Sequence, residues 1–266
     1  MKNILLLVHD DPGQESRLQV ALDVTRAVGG HLECLEVRDL PMLALGNYAG
    51  GAEALALAEV ERAQRALRVA IEQRLGGEDV PWSFGQSFDR PVDALSRGAD
   101  LADLIVLSAR LADEGDHGGD ASPQPLPLRS GRPLLAVPPG VRGLALDKPA
   151  LVAWDGSGPS IEAVRAAVPL LRHAAGVVVL EVDPPSGVMP MEDIGTYLSR
   201  HGIVPELVER RSDDTIAAVL RDHVRAIDAG LLVMGAYGAG RLAQSIFGGV
   251  TRTMLASSPV PLLLAH

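Results

Sequence analysis

The sequence predicts an α/β chain of two tandem doubly wound domains, each a five-stranded parallel sheet with helices on both faces. Short apolar runs alternate with helical patterns from end to end, which implies right-handed crossovers and parallel strands. The alternation is written twice: Asp10 and Asp155 both close an opening apolar run, and each lies 27 residues before a valine, Val37 or Val182, that closes the next. Hydrophobic residues make up 47% of the chain and aromatic residues only 3%. A core of Leu, Val, Ala and Ile suits sheets buried on both faces.

The first half opens with NILLLVHDD (3–11), an apolar strand ending in acid. SRLQVALDVTRAV (16–28) then places apolar residues at three- and four-residue spacing, the period of a helix. ECLEV (33–37) is the second strand, and the long periodic segment 52–75 is an extended helix. LADLIVLSA (101–109) and RPLLAV (132–137) supply later strands. The second half repeats the layout with PALVAWDGS (149–157), SIEAVRAAVPLLRHA (160–174), VVVLEV (177–182), AGLLVMGA (229–236) and VPLLLA (260–265). Asp213 and Asp214 stand where they would cap the helix TIAAVLRDHVRAI (215–227). The joint falls in VPPGVRGLALDKP (137–149), rich in Pro and Gly, giving units of 1–140 and 146–266.

A formal net charge of −10 excludes the clustered basic surface that nucleic-acid binding needs. No run approaches the ~20 apolar residues of a membrane span. MKNILLLVHDD is too short in its apolar part for a signal peptide. The only cysteine, Cys34, lies in an apolar run and reads as a core residue, and a lone cysteine fits a cytoplasmic protein. The seven histidines show no metal-ligand spacing, GxSxG is absent, and no pair of acids stands out. Ser157 reads as a helix-start residue. The expectation is therefore a non-enzyme, with slow ATP hydrolysis as the most it would do.

The richest signal is GAYGAGRLAQSIFGGVTRTML (235–255), which follows an apolar strand. In an open parallel sheet, ligands bind beyond the carboxyl ends of the strands where the strand order reverses. Gly235, Gly238 and Gly240 deliver a small-residue loop to that edge. Gly248 and Gly249 precede a helix starting near Val250, whose free N–H groups and dipole favour an anion such as phosphate. Tight turns alone would also explain these glycines.

Gly235, two residues, Gly238, nine residues and Gly248 resemble the G-x2-G-x9-G-[ST] signature of the universal stress protein family. The resemblance covers about 120 residues of the second half closely, and the first half in layout only. It implies Rossmann-like domains and, for a tandem chain, an internal pseudo-dimer paired through the last strands. Homodimerisation is left open. The resemblance implies ATP, with Mg²⁺, as the ligand. It gives Asp155 a ribose contact, Val182 a backbone contact to adenine, and Ala153 and Met234 the lining of the adenine pocket. Gly235, Gly238, Gly248, Gly249 and Val250 fall at the ribose and phosphates. Thr251 either supplies a hydroxyl or caps the helix. Asp155 also reads as a turn residue, and Arg241 and Arg252 as solvated or pocket charges.

The chain departs from the signature at Gly249, where Ser or Thr is expected. A lost hydrogen bond to a charged group costs ~1.5–3 kcal/mol, a ~10- to 150-fold weakening. In the first half Ser108 stands where Gly235 does, and Asp113, Glu114, Asp116 and Asp120 follow. That acidity would repel phosphate, so the first half reads as a degenerate copy. Two functions remain open: a stress-response module binding an adenine nucleotide in its second half, or a scaffold acting through protein partners.

Overall fold

A computed structural model describes residues 1–9, 11–37, 51–87, 91–109, 130–183, 188–236 and 249–266. The first half contributes β1 (Asn3–Val8), α1 (Gln14–Val28), β2 (His31–Val37), α2 (Gly51–Leu75), β3 (Trp82–Ser87), α3 (Pro91–Gly98), β4 (Leu104–Ser108) and β5 (Leu134–Val137). The second contributes β6 (Ala150–Trp154), α4 (Gly158–Leu171), β7 (Val177–Val182), α5 (Met191–Arg200), β8 (Glu206–Arg210), α6 (Ile216–Ala226), β9 (Leu231–Gly235), α7 (Gly249–Ser257) and β10 (Leu262–Ala265).

The strands form one sheet of ten, ordered β3-β2-β1-β4-β5-β10-β9-β6-β7-β8. Each half is parallel throughout. The halves join at an antiparallel pair, β5 with β10, where Leu135 faces Leu263. The expected pseudo-dimer is thus a continuous sheet with a two-fold-like seam between the two last strands. Buried on both faces, the central strands are apolar at nearly every position, as the runs in the sequence require.

One face is covered by α1, α2, α4 and α5, which bury Leu18, Leu75, Val164 and Ile194 against Ile4, Val152 and Val179. The other is covered by α3, α6 and α7, which bury Leu95, Leu220 and Met254 against Leu5, Leu151 and Leu232. Helix ends follow local chemistry. The Ser157 side chain accepts the Ser160 N–H to cap α4, and Gly29 closes α1 in the left-handed conformation at φ 54°. α6 is capped by Thr215, whose side chain accepts the Ala218 N–H. This corrects the expectation of an Asp213 or Asp214 cap. Cys34 is buried, and burial, with Glu33 adding to it, pushes its thiol up to about 12. No helix among the described residues is long and apolar enough to cross a membrane.

Candidate functional site

In the second half the order β10-β9-β6-β7-β8 reverses between β9 and β6, so the crevice for a ligand lies at their carboxyl ends. Asp155 follows β6. Trp154 is registered with Glu181, which sets Asp155 alongside Val182. Ala153 is registered with Met234, which sets Gly235 beside Trp154. Ala153, Asp155, Val182, Met234 and Gly235 are therefore brought to one strand edge. Asp155 is exposed; its Oδ1 accepts from the Ser157 N–H at 3.0 Å and the Ser157 hydroxyl at 2.6 Å. This is the turn role open to it from sequence, and Oδ2 has no partner among the described residues.

Gly235 has a reason of its own. A Cβ there would stand 2.6 Å from the Ser160 nitrogen and 2.8 Å from the Pro159 carbonyl carbon. The start of α4 packs directly on the end of β9, and only glycine fits. Gly249, by contrast, faces open space. Gly249, Val250 and Thr251 form the first turn of α7, whose leading N–H groups have no partner within the helix. Thr251 is 4% exposed, and its hydroxyl has no hydrogen-bond partner among the described residues, so it is not a cap. Gly238, Gly240, Arg241 and Gly248 lie outside the described residues; Arg252 is exposed.

The first half differs at the equivalent place. Leu6 pairs with Cys34 and Val106, as Val152 pairs with Val179 and Val233. Counting on from that match sets His9, not Asp10, in the position of Asp155, which corrects the sequence alignment. Asp10 itself lies outside the described residues, as does the acidic run 113–120. The crevice between β1 and β4 is bridged by Arg17, which is 1% exposed. Its guanidinium donates to Asp11 at 2.8 Å, to the Ser108 hydroxyl at 2.5 Å, to the His9 carbonyl at 3.1 Å and to Gln14 Oε1 at 2.8 Å. Burial alone would raise the Asp11 carboxyl. Hydrogen bonds from His9 and Arg17, the Arg17 charge and the Gly13 N–H outweigh it and hold Asp11 at about 2.

Sequence reading missed Arg17. Its signal was present: Arg17 falls on the apolar stripe of α1 with Leu18, Ala21 and Val24. It also missed Glu36 and Glu181, acids repeated in otherwise apolar runs and buried in both halves. No group of three or more His, Cys, Asp or Glu among the described residues is placed to hold a metal ion.

The family model described as the universal stress protein family matches residues 148–266. Among solved structures, the chain is similar to a universal stress protein from Archaeoglobus fulgidus DSM 4304, with a TM-score of 0.75 and 17% identity over 99% of this chain and 95% of that one. It is also similar to a functionally unknown protein from Pseudomonas aeruginosa PAO1, with a TM-score of 0.56 and 14% identity over 100% of this chain and 92% of that one. Both are likenesses of fold over the whole chain. No curated protein matches the sequence.

Proposed function

On the premise that residues 148–266 belong to the universal stress protein family, we propose that the chain is a stress-response protein that binds ATP, or a related adenine nucleotide, in its second half. The observation that carries this reading is the meeting of Asp155, Val182 and Gly235 at the β6–β9 switch point. Asp155 Oδ2 takes a ribose hydroxyl, and the Val182 backbone takes the adenine edge. Ala153 and Met234 line the base. Gly235, Gly238 and Gly248 with the first turn of α7, Gly249 to Thr251, take the phosphates, with Mg²⁺ brought by the nucleotide.

The first half takes none. Among the described residues, a guanidinium already spans its crevice and is neutralised by Asp11, which leaves that cation without charge to offer a phosphate. The chain is then a one-site module in which nucleotide level biases conformation or partner choice. It acts in the cytoplasm, in the units 1–140 and 146–266.

A scaffold without nucleotide is the second reading, and Gly235 favours it, because packing against Ser160 explains that glycine without any ligand. Calorimetric titration of the full chain with Mg²⁺ and ATP separates the two. One site per chain, lost in Gly238→Asp and weakened in Asp155→Ala, is the expected result. No heat, together with no thermal shift at high ATP, would leave the scaffold.

A further inference from the structure

Both halves bury a glutamate at the same place in the sheet. Glu36 lies between Val8 and Gln86, and Glu181 lies between Trp154 and Glu209. They are 3% and 7% exposed. In the first half the partner strand answers the acid: Gln86 Nε2 donates to Glu36 Oε2 at 2.7 Å. In the second half the residue in the place of Gln86 is Glu209, an acceptor facing an acceptor. Glu181 makes no hydrogen bond or ion pair with any described residue.

The charged groups acting on Glu181 are all acidic. Glu209 comes from β8, Glu192 from the first turn of α5, and Asp155 from the turn after β6. Among the described residues the ion pair to any of them is that of Arg211 with Glu209, at 3.6 Å between two exposed side chains. Glu209 is half exposed, so Glu181 is the buried member of the pair; one proton shared between the two carboxylates relieves their repulsion, the acid O–H of one donating to the other. Burial pushes the Glu181 carboxyl up, and the charges of Glu209, Glu192 and Asp155 push it further.

We propose that Glu181 and Glu209 form a proton-binding site, and that its occupancy sets the affinity of the adjoining crevice for an anionic ligand. The second clause rests on the nucleotide reading. Glu181 immediately precedes Val182 and its charge reaches Asp155, so an empty proton site adds negative charge beside the candidate ligand. The site therefore favours nucleotide when acid and disfavours it when alkaline. In the first half Gln86 supplies a donor at the same place.

The sign for stability follows from linkage. A carboxyl raised in the fold keeps its proton where the unfolded chain has lost it, so stability falls as pH rises from the ordinary value of 4.5 through the folded one. The test is urea unfolding of the full chain from pH 4.5 to about 8, for wild type, Glu181→Gln and Glu209→Gln. Glu209→Gln rebuilds the pair of the first half; Glu181→Gln rebuilds it with roles exchanged. Both variants are expected to match wild type at the acid end and to exceed it increasingly toward the alkaline end. A difference from wild type that does not change with pH would overturn the proton site. ATP titrations over the same range read the second clause: wild-type affinity falls several-fold relative to Glu181→Gln. Parallel pH profiles would overturn the coupling alone. If ATP does not bind at all, the nucleotide reading fails while the unfolding series still decides the proton site.

Discussion

Arg17 and Asp11 form an ion pair at 2.8 Å that spans the mouth of the first-half crevice, while the corresponding mouth in the second half is crossed by no ion pair among the described residues. The two halves share strand order and register, yet they treat this point in opposite ways. In the first, the opening of α1 meets β4 through a side chain, with a Cβ at Gly13 falling 2.6 Å from the Ser108 hydroxyl that Arg17 bonds. In the second, α4 begins directly on Gly235, and Asp155 turns to its own loop. The difference starts in loop length: five residues separate Val8 from Gln14, and three separate Trp154 from Gly158.

The first prediction concerns that ion pair. Asp11→Asn leaves a buried guanidinium without its counter-charge, which costs roughly 3–5 kcal/mol. Arg17→Met costs less, because the charge leaves with the side chain and the partly exposed Asp11 turns to water. Urea unfolding at neutral pH gives the order, and the reverse order would mean that Asp11 is not what neutralises Arg17. The pH dependence carries a second sign. The Asp11 contribution is fully present above its ordinary 3.8 and is lost as pH falls toward about 2. That acid loss should be shallower in Arg17→Met.

Much of this architecture was legible in the sequence, because strands buried on both faces must be apolar throughout and the run LLLV or VVVL announces itself. The edge strands WSFGQS and ELVER announce little, since the first is half-buried, the second largely exposed, and neither needs an apolar run. The fusion of the halves through β5 and β10 rests on pairing across 120-odd residues and leaves no local mark. The alignment of Asp10 with Asp155 failed because two successive acids, Asp10 and Asp11, offered a match, and only sheet register shows that His9 holds that place. Asp155, Val182 and Gly235 were legible as a group from motif and spacing. That Gly235 also answers to Ser160 was not, because a close approach between β9 and α4 is visible only in three dimensions.

Gly235→Ala should therefore damage the fold whether or not a nucleotide binds. The new methyl would meet backbone atoms at 2.6 and 2.8 Å, and backbone moves only by shifting α4 against the sheet. Overpacking of this kind costs about 1–3 kcal/mol. A lower urea midpoint without ligand is the expected result. An unchanged midpoint would return Gly235 to a purely ligand-facing role, and it would make loss of ATP binding in this variant meaningful.

Gly249→Ser runs the other way. A Cβ at this position meets nothing within 4 Å, so the fold should accept the side chain at little cost. The variant restores the hydroxyl that the family signature places after Gly248. A hydrogen bond to a charged phosphate at ~1.5–3 kcal/mol should tighten ATP roughly 10- to 150-fold. Adenosine, which lacks phosphates, should bind as before. Equal gains for ATP and adenosine would place residue 249 away from the phosphates.

Thr251→Val separates ligand binding from folding by opposite signs. Thr251 is a buried residue, 4% exposed, in the first turn of α7, and its hydroxyl finds no acceptor or donor among the described residues. Side chains on a helix lean toward its N-terminus, so this hydroxyl leans toward the end of α7 where an anion is favoured. Valine keeps the shape and removes a hydroxyl that bonds no described residue, so the fold gives up no hydrogen bond. The unliganded variant should be as stable as wild type or more so by up to about 1 kcal/mol. Its affinity for ATP should fall about tenfold, with that for adenosine unchanged, because a charge-assisted bond is lost only when phosphate is present. A destabilised variant would show that the hydroxyl has a partner inside the fold, and that Thr251 is held for structure. A variant with both stability and ATP affinity unchanged would remove Thr251 from the site.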